Sequence, residues 1–153
     1  MNNKIKTLII GLILFFDQLL KYMVVQFLKP GQEKILIKGI VSLTNVKNSG
    51  AAWSIGEGKT WIFILVTIIF IPFAGYFLYI KKIENIWFNW GLALILGGTL
   101  GNFLDRIINH QVVDMIMIKF FDFPIFNLAD IAINIGVLCL VVYLFKSGKE
   151  AKQ

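Results

Sequence analysis

Apolar residues in this chain gather into four long runs separated by shorter polar stretches. The first covers about residues 5–28 and is interrupted by Asp17, Gln18 and Lys21. The second, about 61–80, holds no charge. The third, about 86–104, is Gly-rich and also uncharged, and the fourth, about 126–145, contains only Asp130. Each run approaches the roughly 20 residues that a helix needs to cross hydrocarbon. The pattern predicts a membrane all-α bundle of four transmembrane helices, forming a single integral membrane domain over 1–153. Segments 29–60 and 105–125 are then external. In the first of them Pro30-Gly31 reads as a turn, and Ile35-Leu36-Ile37 and Ile40-Val41-Ser42-Leu43-Thr44 as short strands. Asn48-Ser49-Gly50 reads as a tight turn. A small external β-sheet on the outer membrane surface is expected, with segment 105–125 supplying a loop that carries Asp114.

Composition agrees with a membrane protein. The 153 residues are 58% hydrophobic and 16% charged, against about 25% charged in soluble domains. A net charge of +6 raises the question of nucleic acid. The basic residues, however, are scattered or sit at the ends of apolar runs, which suits topology signals and anionic headgroups. Membrane lipids are therefore expected partners and nucleic acid is not. The short segments 1–6, 81–85 and 146–153 hold Lys4, Lys6, Lys81, Lys82, Lys146, Lys149 and Lys152. Segments 29–60 and 105–125 carry as many basic residues over more than twice the length, which places both termini in the cytoplasm. Trp61, Trp87 and Trp90 fall near the span boundaries, as interfacial aromatics do. Lys4 and Lys6 ahead of an apolar run look like the start of a signal peptide. Asp17 follows, and no small-x-small cleavage site appears, so the run is expected to stay as a helix. Cys139 between Leu138 and Leu140 reads as a buried thiol without chemistry. With one histidine, His110, and no Cys/His cluster, neither a metal nor another cofactor is expected.

Polar residues inside apolar sequence are the candidates for chemistry. Asp114 and Asp130 stand in such surroundings, where an ionised side chain costs roughly 2.5–3.5 kcal/mol on insertion scales. A pair of carboxylates so placed is the equipment of acid/base peptide hydrolysis. Asp17 and Lys21, four apart with the acid first, are expected to form a structural ion pair, with Lys21 snorkelling outward. Gly97 and Gly101 give the GxxxG spacing of close helix approach. Asn102 and Asp105 share a face, and Arg106 either marks the membrane boundary or binds a carbonyl or phosphoryl group. Asn127, Asp130 and Asn134 form one helical stripe facing the bundle interior. A purely structural role is also open to Asp130: Asn127 as N-cap and Asp130 as the N3 acid make a capping box worth about 1 kcal/mol.

Four blocks carry a resemblance. They are Asp17-Gln18-x-x-Lys21; Asn48-Ser49-Gly50-Ala51-Ala52-Trp53; Gly97-Gly98-Thr99-Leu100-Gly101-Asn102-Phe103-Leu104-Asp105-Arg106 leading to Val112-Val113-Asp114; and Phe126-Asn127-Leu128-Ala129-Asp130. In order, spacing and four-span plan the chain resembles the lipoprotein signal peptidases, or signal peptidase II, bacterial membrane aspartyl proteases. The resemblance implies that Asp114 and Asp130 are the catalytic dyad. By it Asn48, Gly50, Asn102, Arg106 and Asn127 line the site, and Asp17, Lys21 and Asp105 support it. It implies cleavage of prolipoproteins just before a diacylglyceryl-modified cysteine. It also implies a multi-pass monomer of the bacterial cytoplasmic membrane, with its active site toward the outer face. His110 stands where the family usually has Gly, and Met115 where it has Phe. The first bears on the backbone shape before Asp114, since Gly often supplies a positive φ.

Without a nucleophile–His pair or a metal cluster, a carboxylate-activated water is the economical mechanism. Asp130, expected in the first turn of a helix whose positive end favours a carboxylate, is the expected base. Asp114 is the expected acid. Asn48 and Gly50 are expected to hold the substrate backbone through exposed turn N–H groups. A small transporter would also use intramembrane Asp and Asn, but no inverted repeat is evident. An assembly subunit would use the Gly-rich third run for packing. Neither accounts for two aspartates together with the block Asn48 to Trp53.

Overall fold

The computed structural model describes residues 1–50, 55–81 and 83–150, excepting the side chains of residues 149 and 150. Ala51, Ala52 and Trp53 of the second block, together with Lys82 and Lys152, lie outside the described residues. Among the described residues, four helices are long and apolar enough to cross a membrane. They are α1 (Asn3–Phe27), α2 (Thr60–Gly75, continued by a π-helical segment Tyr76–Lys81), α3 (Ile86–Asn109) and α4 (Leu128–Glu150). Three strands, β1 (Glu33–Ile37), β2 (Val41–Asn48) and β3 (Val112–Ile118), form an antiparallel sheet in the order β1-β2-β3.

Helix starts follow from local chemistry. Asn2 Oδ1 accepts the Lys4 N–H at 3.0 Å, and Asn85 Oδ1 accepts the Phe88 N–H at 3.2 Å, satisfying donors that a helix N-terminus leaves open. Pro72 in α2 lacks an N–H and so interrupts the ladder, and the π-helical segment follows four residues later. There Lys6 Nζ donates to the carbonyl oxygen of Leu78 at 2.6 Å.

Since lipid is as apolar as the side chains, packing between spans relies on close backbone approach. A Cβ on Gly91 would lie 2.8 Å from Gly136 O, and one on Gly136 would lie 2.6 Å from Gly91 O. These two positions set the crossing of α3 and α4. Gly97 packs on Ile10 and Ile13 of α1, and Gly98 on Ala129 of α4, so the small residues of the third run hold α3 at the centre. Large side chains such as Leu8, Phe15, Ile69 and Leu138 point outward and are exposed, as lipid-facing residues are.

The sheet caps one end of the bundle. Val46 pairs with Asp114 and Asn48 with Val112, with an extra residue accommodated on β2 between Leu43 and Val46. Val113 and Met115 pack on Val24 and Leu28 at the end of α1. Met115, 1% exposed, thus fills apolar space as expected. Ile116 bridges to Phe126, whose carbonyl accepts the Met115 and Ile116 N–H groups at 3.0 and 2.8 Å.

Several expectations need correction. The third helix does not stop with its apolar run near residue 104 but continues to Asn109, so Asp105 and Arg106 lie on it. Lys21 neutralises Asp105 there, and the helical hydrogen bonds continue past the end of the apolar run. The expected loop around Asp114 is strand β3, whose backbone groups are taken up by β2 and by Phe126. The second strand begins after Ile40, which lies in the turn at Gly39, and extends to Asn48. The fourth helix begins two residues late because Phe126 is held to β3.

Candidate active site

Asp17, Lys21, Asn102, Asp105, Asp114, Asn127 and Asp130 come together where the sheet meets the bundle. Lys21 is the buried cation at the base of this cluster. Its Nζ donates to Asp17 Oδ2 at 2.8 Å, Asp105 Oδ2 at 2.9 Å and Asn102 Oδ1 at 3.0 Å. All three ammonium protons are thereby used. The expected ion pair is present, but Lys21 does not snorkel: its side chain is 4% exposed. Two carboxylates and an amide inside the bundle satisfy it better than a partial reach to the surface.

The supporting carboxylates also hold backbone. Asp17 Oδ1 accepts the Ala129 N–H at 2.9 Å, and Asp105 Oδ2 accepts the Val113 N–H at 3.3 Å. The α1 and α3 acids are therefore tied to the residues immediately before Asp130 and Asp114. Gln18, left out of the sequence-derived site, joins them. Its Nε2 donates to Asp17 Oδ2 at 3.2 Å, Asp105 Oδ1 at 3.0 Å and Gly101 O at 3.1 Å. A neutral amide within an apolar run beside Asp17 was the signal available for it.

Three asparagines aim their amide donors at the candidate dyad. Asn102 Nδ2 donates to Asp130 Oδ1 at 2.8 Å. Asn127 Nδ2 donates to Asp114 Oδ1 at 2.8 Å and to Asn102 Oδ1 at 3.1 Å. Asn48 Nδ2 donates to Asp114 Oδ2 at 2.9 Å. Each amide is oriented by its other end. Asn102 Oδ1 must face the Lys21 ammonium, Asn127 Oδ1 accepts the Asp130 N–H at 3.0 Å, and Asn48 Oδ1 accepts the Gly50 N–H at 2.8 Å. Flipping any of them would set a carbonyl against an acceptor. The capping box is also real: the Asn127 N–H donates to Asp130 Oδ2 at 3.1 Å. Asp130 therefore caps α4 through one oxygen and meets Asn102 through the other.

Arg106 reaches across to the second block. Its Nη2 donates to Gly50 O at 3.0 Å, and the guanidinium lies 4.9 Å from the Phe63 ring centroid. Arg106 thus binds a carbonyl, one of the protein's own. Gly50 is held at both ends, so its N–H is not a free turn donor as the sequence suggested. Asn134 lies on the expected stripe but is exposed, and its Nδ2 donates to Asp130 O at 2.9 Å. Cys139 is half-buried rather than buried.

Asp114 and Asp130 line one cavity of about 320 Å³. Its polar lining comes from Asn48, Gly50, Asn102, Arg106 and Asn134, and its apolar lining from Val112, Phe123 to Phe126 and Ile133. Asp114 is 4% exposed. Burial pushes its carboxyl up to about 6, against the hydrogen bonds from Asn48 and Asn127, and the charge of Asp130 pushes the same way. One further position shapes the approach to Asp114. His110 closes α3 with φ 57°, in the left-handed region, and its N–H donates to Arg106 O at 3.1 Å. Among the described residues no other non-glycine has a positive φ. Thr60 Oγ1 donates to His110 O at 2.9 Å and to Ser49 O at 3.0 Å, tying this corner to α2.

A carboxyl pair with fixed amide donors, facing a cavity with a partly apolar lining, can activate water against a peptide carbonyl. Among the described residues no His/Cys/Asp/Glu group is arranged to hold a metal ion.

Comparison with known proteins agrees with this chemistry. A family model described as Signal peptidase (SPase) II matches residues 9–146. The chain is 42% identical over 146 residues to the lipoprotein signal peptidase of Enterococcus faecalis, covering 95% of this chain and 91% of that protein. It is 44% identical over 140 residues to that of Lactobacillus johnsonii, covering 91% of each. Among solved structures, a bacterial membrane enzyme determined by the in meso method at 2.3 Å resolution is similar, with a TM-score of 0.92 and 34% identity over 97% of this chain and 92% of that one. A second, at 1.9 Å, gives 0.86 and 35% over 94% of each.

Proposed function

The chain belongs to the signal peptidase II family, whose activity is the removal of signal peptides from prolipoproteins, and on that premise we propose that Asp114 and Asp130 are its catalytic pair. The observation that carries the reading is their shared cavity, beside which Asn48, Asn102 and Asn127 each present an amide donor to one of the two carboxyls. The scissile bond is the one just before a diacylglyceryl-modified cysteine.

In this reading water sits between the carboxyls. Asp130 removes its proton as it attacks, and Asp114 gives its own proton to the carbonyl oxygen, so that a neutral gem-diol forms; Asp130 then protonates the leaving amine while Asp114 takes back a hydroxyl proton as the C–N bond breaks. Burial raises the Asp114 carboxyl, which favours it as the proton holder of the pair, and a substrate that expels water from the cavity pushes further in the same direction. Lys21, Asp17 and Asp105 act at one remove, by orienting Asn102 and the backbone beside the pair. The enzyme works as a monomer among membrane lipids. Its sheet end faces outward and both termini lie in the cytoplasm, as the lysines at the opposite end favour.

The test is cleavage of a lipid-modified precursor by the purified, reconstituted chain, set against Asp114→Asn and Asp130→Asn. Asn keeps the shape and cannot exchange the proton, so both variants should insert normally and lose turnover. Robust turnover by Asp130→Asn would leave that residue as a helix cap only.

A further inference from the structure

A series of aromatic rings that hydrolysis does not require runs into the apolar lining of the cavity. Phe120 and Phe121 meet edge to face with centroids 4.8 Å apart, Phe121 and Phe123 at 5.6 Å, and Phe123 and Phe126 at 5.6 Å. Exposure falls along the series, from 66% at Phe120 to 48% at Phe121 and 40% at Phe123, with Phe126 half-buried. Phe123 and Phe126 also line the cavity that holds Asp114 and Asp130. The rings therefore begin in the surroundings of the protein and end beside the carboxyls.

We propose that Phe120, Phe121, Phe123 and Phe126 form a shelf that receives the acyl chains of the lipid-modified cysteine and guides them along the apolar lining of the cavity. This rests on the prolipoprotein reading above. The cavity is mixed in the way such a substrate is. Part of its lining is polar, from Asn48, Asn102 and Arg106, and part, Phe123 to Phe126 with Ile133, offers only apolar side chains and backbone. A cysteine bearing a diacylglyceryl group joins those two chemistries at one residue. Asp122, between Phe121 and Phe123, is exposed, and an exposed carboxylate keeps the segment at the interface, since submerging it costs several kcal/mol. A simple membrane anchor would need no continuity with the cavity; the graded burial toward Phe126 supplies it.

The shelf makes turnover depend on acyl length in a way these rings control. Precursors with one signal helix and short, medium or long diacylglyceryl chains would be compared in vesicles of a single composition. In the unmodified protein kcat/KM should rise with chain length. In Phe121→Ser, and more so in Phe120→Ser/Phe121→Ser, the gain from the longest chain should shrink by about tenfold, mostly through KM, with the short-chain substrate almost unaffected. Phe121→Leu, which restores apolar area, should recover much of the gain. Parallel chain-length curves for variant and unmodified protein would overturn the shelf. So would an equal loss on all substrates, the mark of a general membrane anchor. Cleavage of the short-chain precursor shows independently that the peptidase reading holds, so the two can fail separately. Binding gives a second readout: in Phe121→Trp, brominated diacylglyceryl-cysteine should quench the new fluorescence more than an equally brominated bilayer lipid at the same mole fraction. Equal quenching by the two would also overturn the proposal.

Discussion

Asn127 and Asp130 bind each other twice. The Asn127 N–H donates to Asp130 Oδ2 at 3.1 Å, and the Asp130 N–H donates to Asn127 Oδ1 at 3.0 Å. The remaining end of Asn127, its Nδ2, donates to Asp114 Oδ1 at 2.8 Å. One residue thus starts α4 and holds both carboxyls in relation to each other. Asn127→Ser separates these duties, because Ser caps a helix almost as well but is too short to reach Asp114. Thermal stability should fall by no more than about 1–2 kcal/mol, the upper range of a cap, while kcat falls by roughly a hundredfold, the low end of the loss for one transition-state hydrogen-bond donor. Melting and turnover measured on one preparation would decide, and unchanged kcat would reduce Asn127 to a cap.

Burial raises the Asp114 carboxyl to about 6, whereas in the unfolded chain it titrates near 3.9. Below about pH 4 both states carry the proton, and between about 4 and 6 the folded state alone does. Folding therefore loses stability as the pH rises through that window, by on the order of 3 kcal/mol from this residue. Asp114→Asn should flatten that slope in a series of melts across the range. Activity should be bell-shaped, with limbs belonging to the coupled pair.

Lys21 balances Asp17 and Asp105 inside the bundle. Lys21→Met removes the cation and strands two carboxylates, at a cost of about 3–5 kcal/mol for a broken buried pair. Asp17→Asn keeps an oxygen able to accept the Ala129 N–H, and should lose less stability and only part of the activity. Denaturation of the two variants in the same detergent would rank them; a Lys21→Met protein as stable as the parent would contradict the central place of this ion cluster.

His110 holds a left-handed conformation that costs a non-glycine residue roughly 1–2 kcal/mol. Relieving it outweighs the greater chain entropy of glycine, so His110→Gly should raise the melting temperature slightly and leave kcat unchanged. A lower melting temperature would show that the imidazole itself contributes more than the strain costs.

Orientation is open to a labelling experiment in a Cys139→Ala background. A membrane-impermeant thiol reagent applied to intact cells should reach Lys38→Cys, in the turn between β1 and β2, and not Ser147→Cys near the end of α4. The opposite pattern would put the cavity on the cytoplasmic face.

Four spans were legible in the sequence because crossing hydrocarbon requires a long, predominantly apolar run, and nothing else in the chain supplies one. The pairing of Asp17 with Lys21 and the capping of α4 by Asn127 were legible too, because both are set within one helical turn. The blocks that carry the family resemblance located Asp114 and Asp130 along the chain. Only the tertiary structure decided that Asp114 is on a strand, since that strand exists by pairing with residues 41–48, far away in sequence. It also decided that Lys21 turns inward, because its second carboxylate, Asp105, arrives from α3, and that helix continues where the apolar pattern ends. The orientation of each amide, and hence which groups face the carboxyls, depends on partners from four separate segments. Local sequence sets what a residue can do, while contacts between distant segments select which of its hydrogen bonds are made.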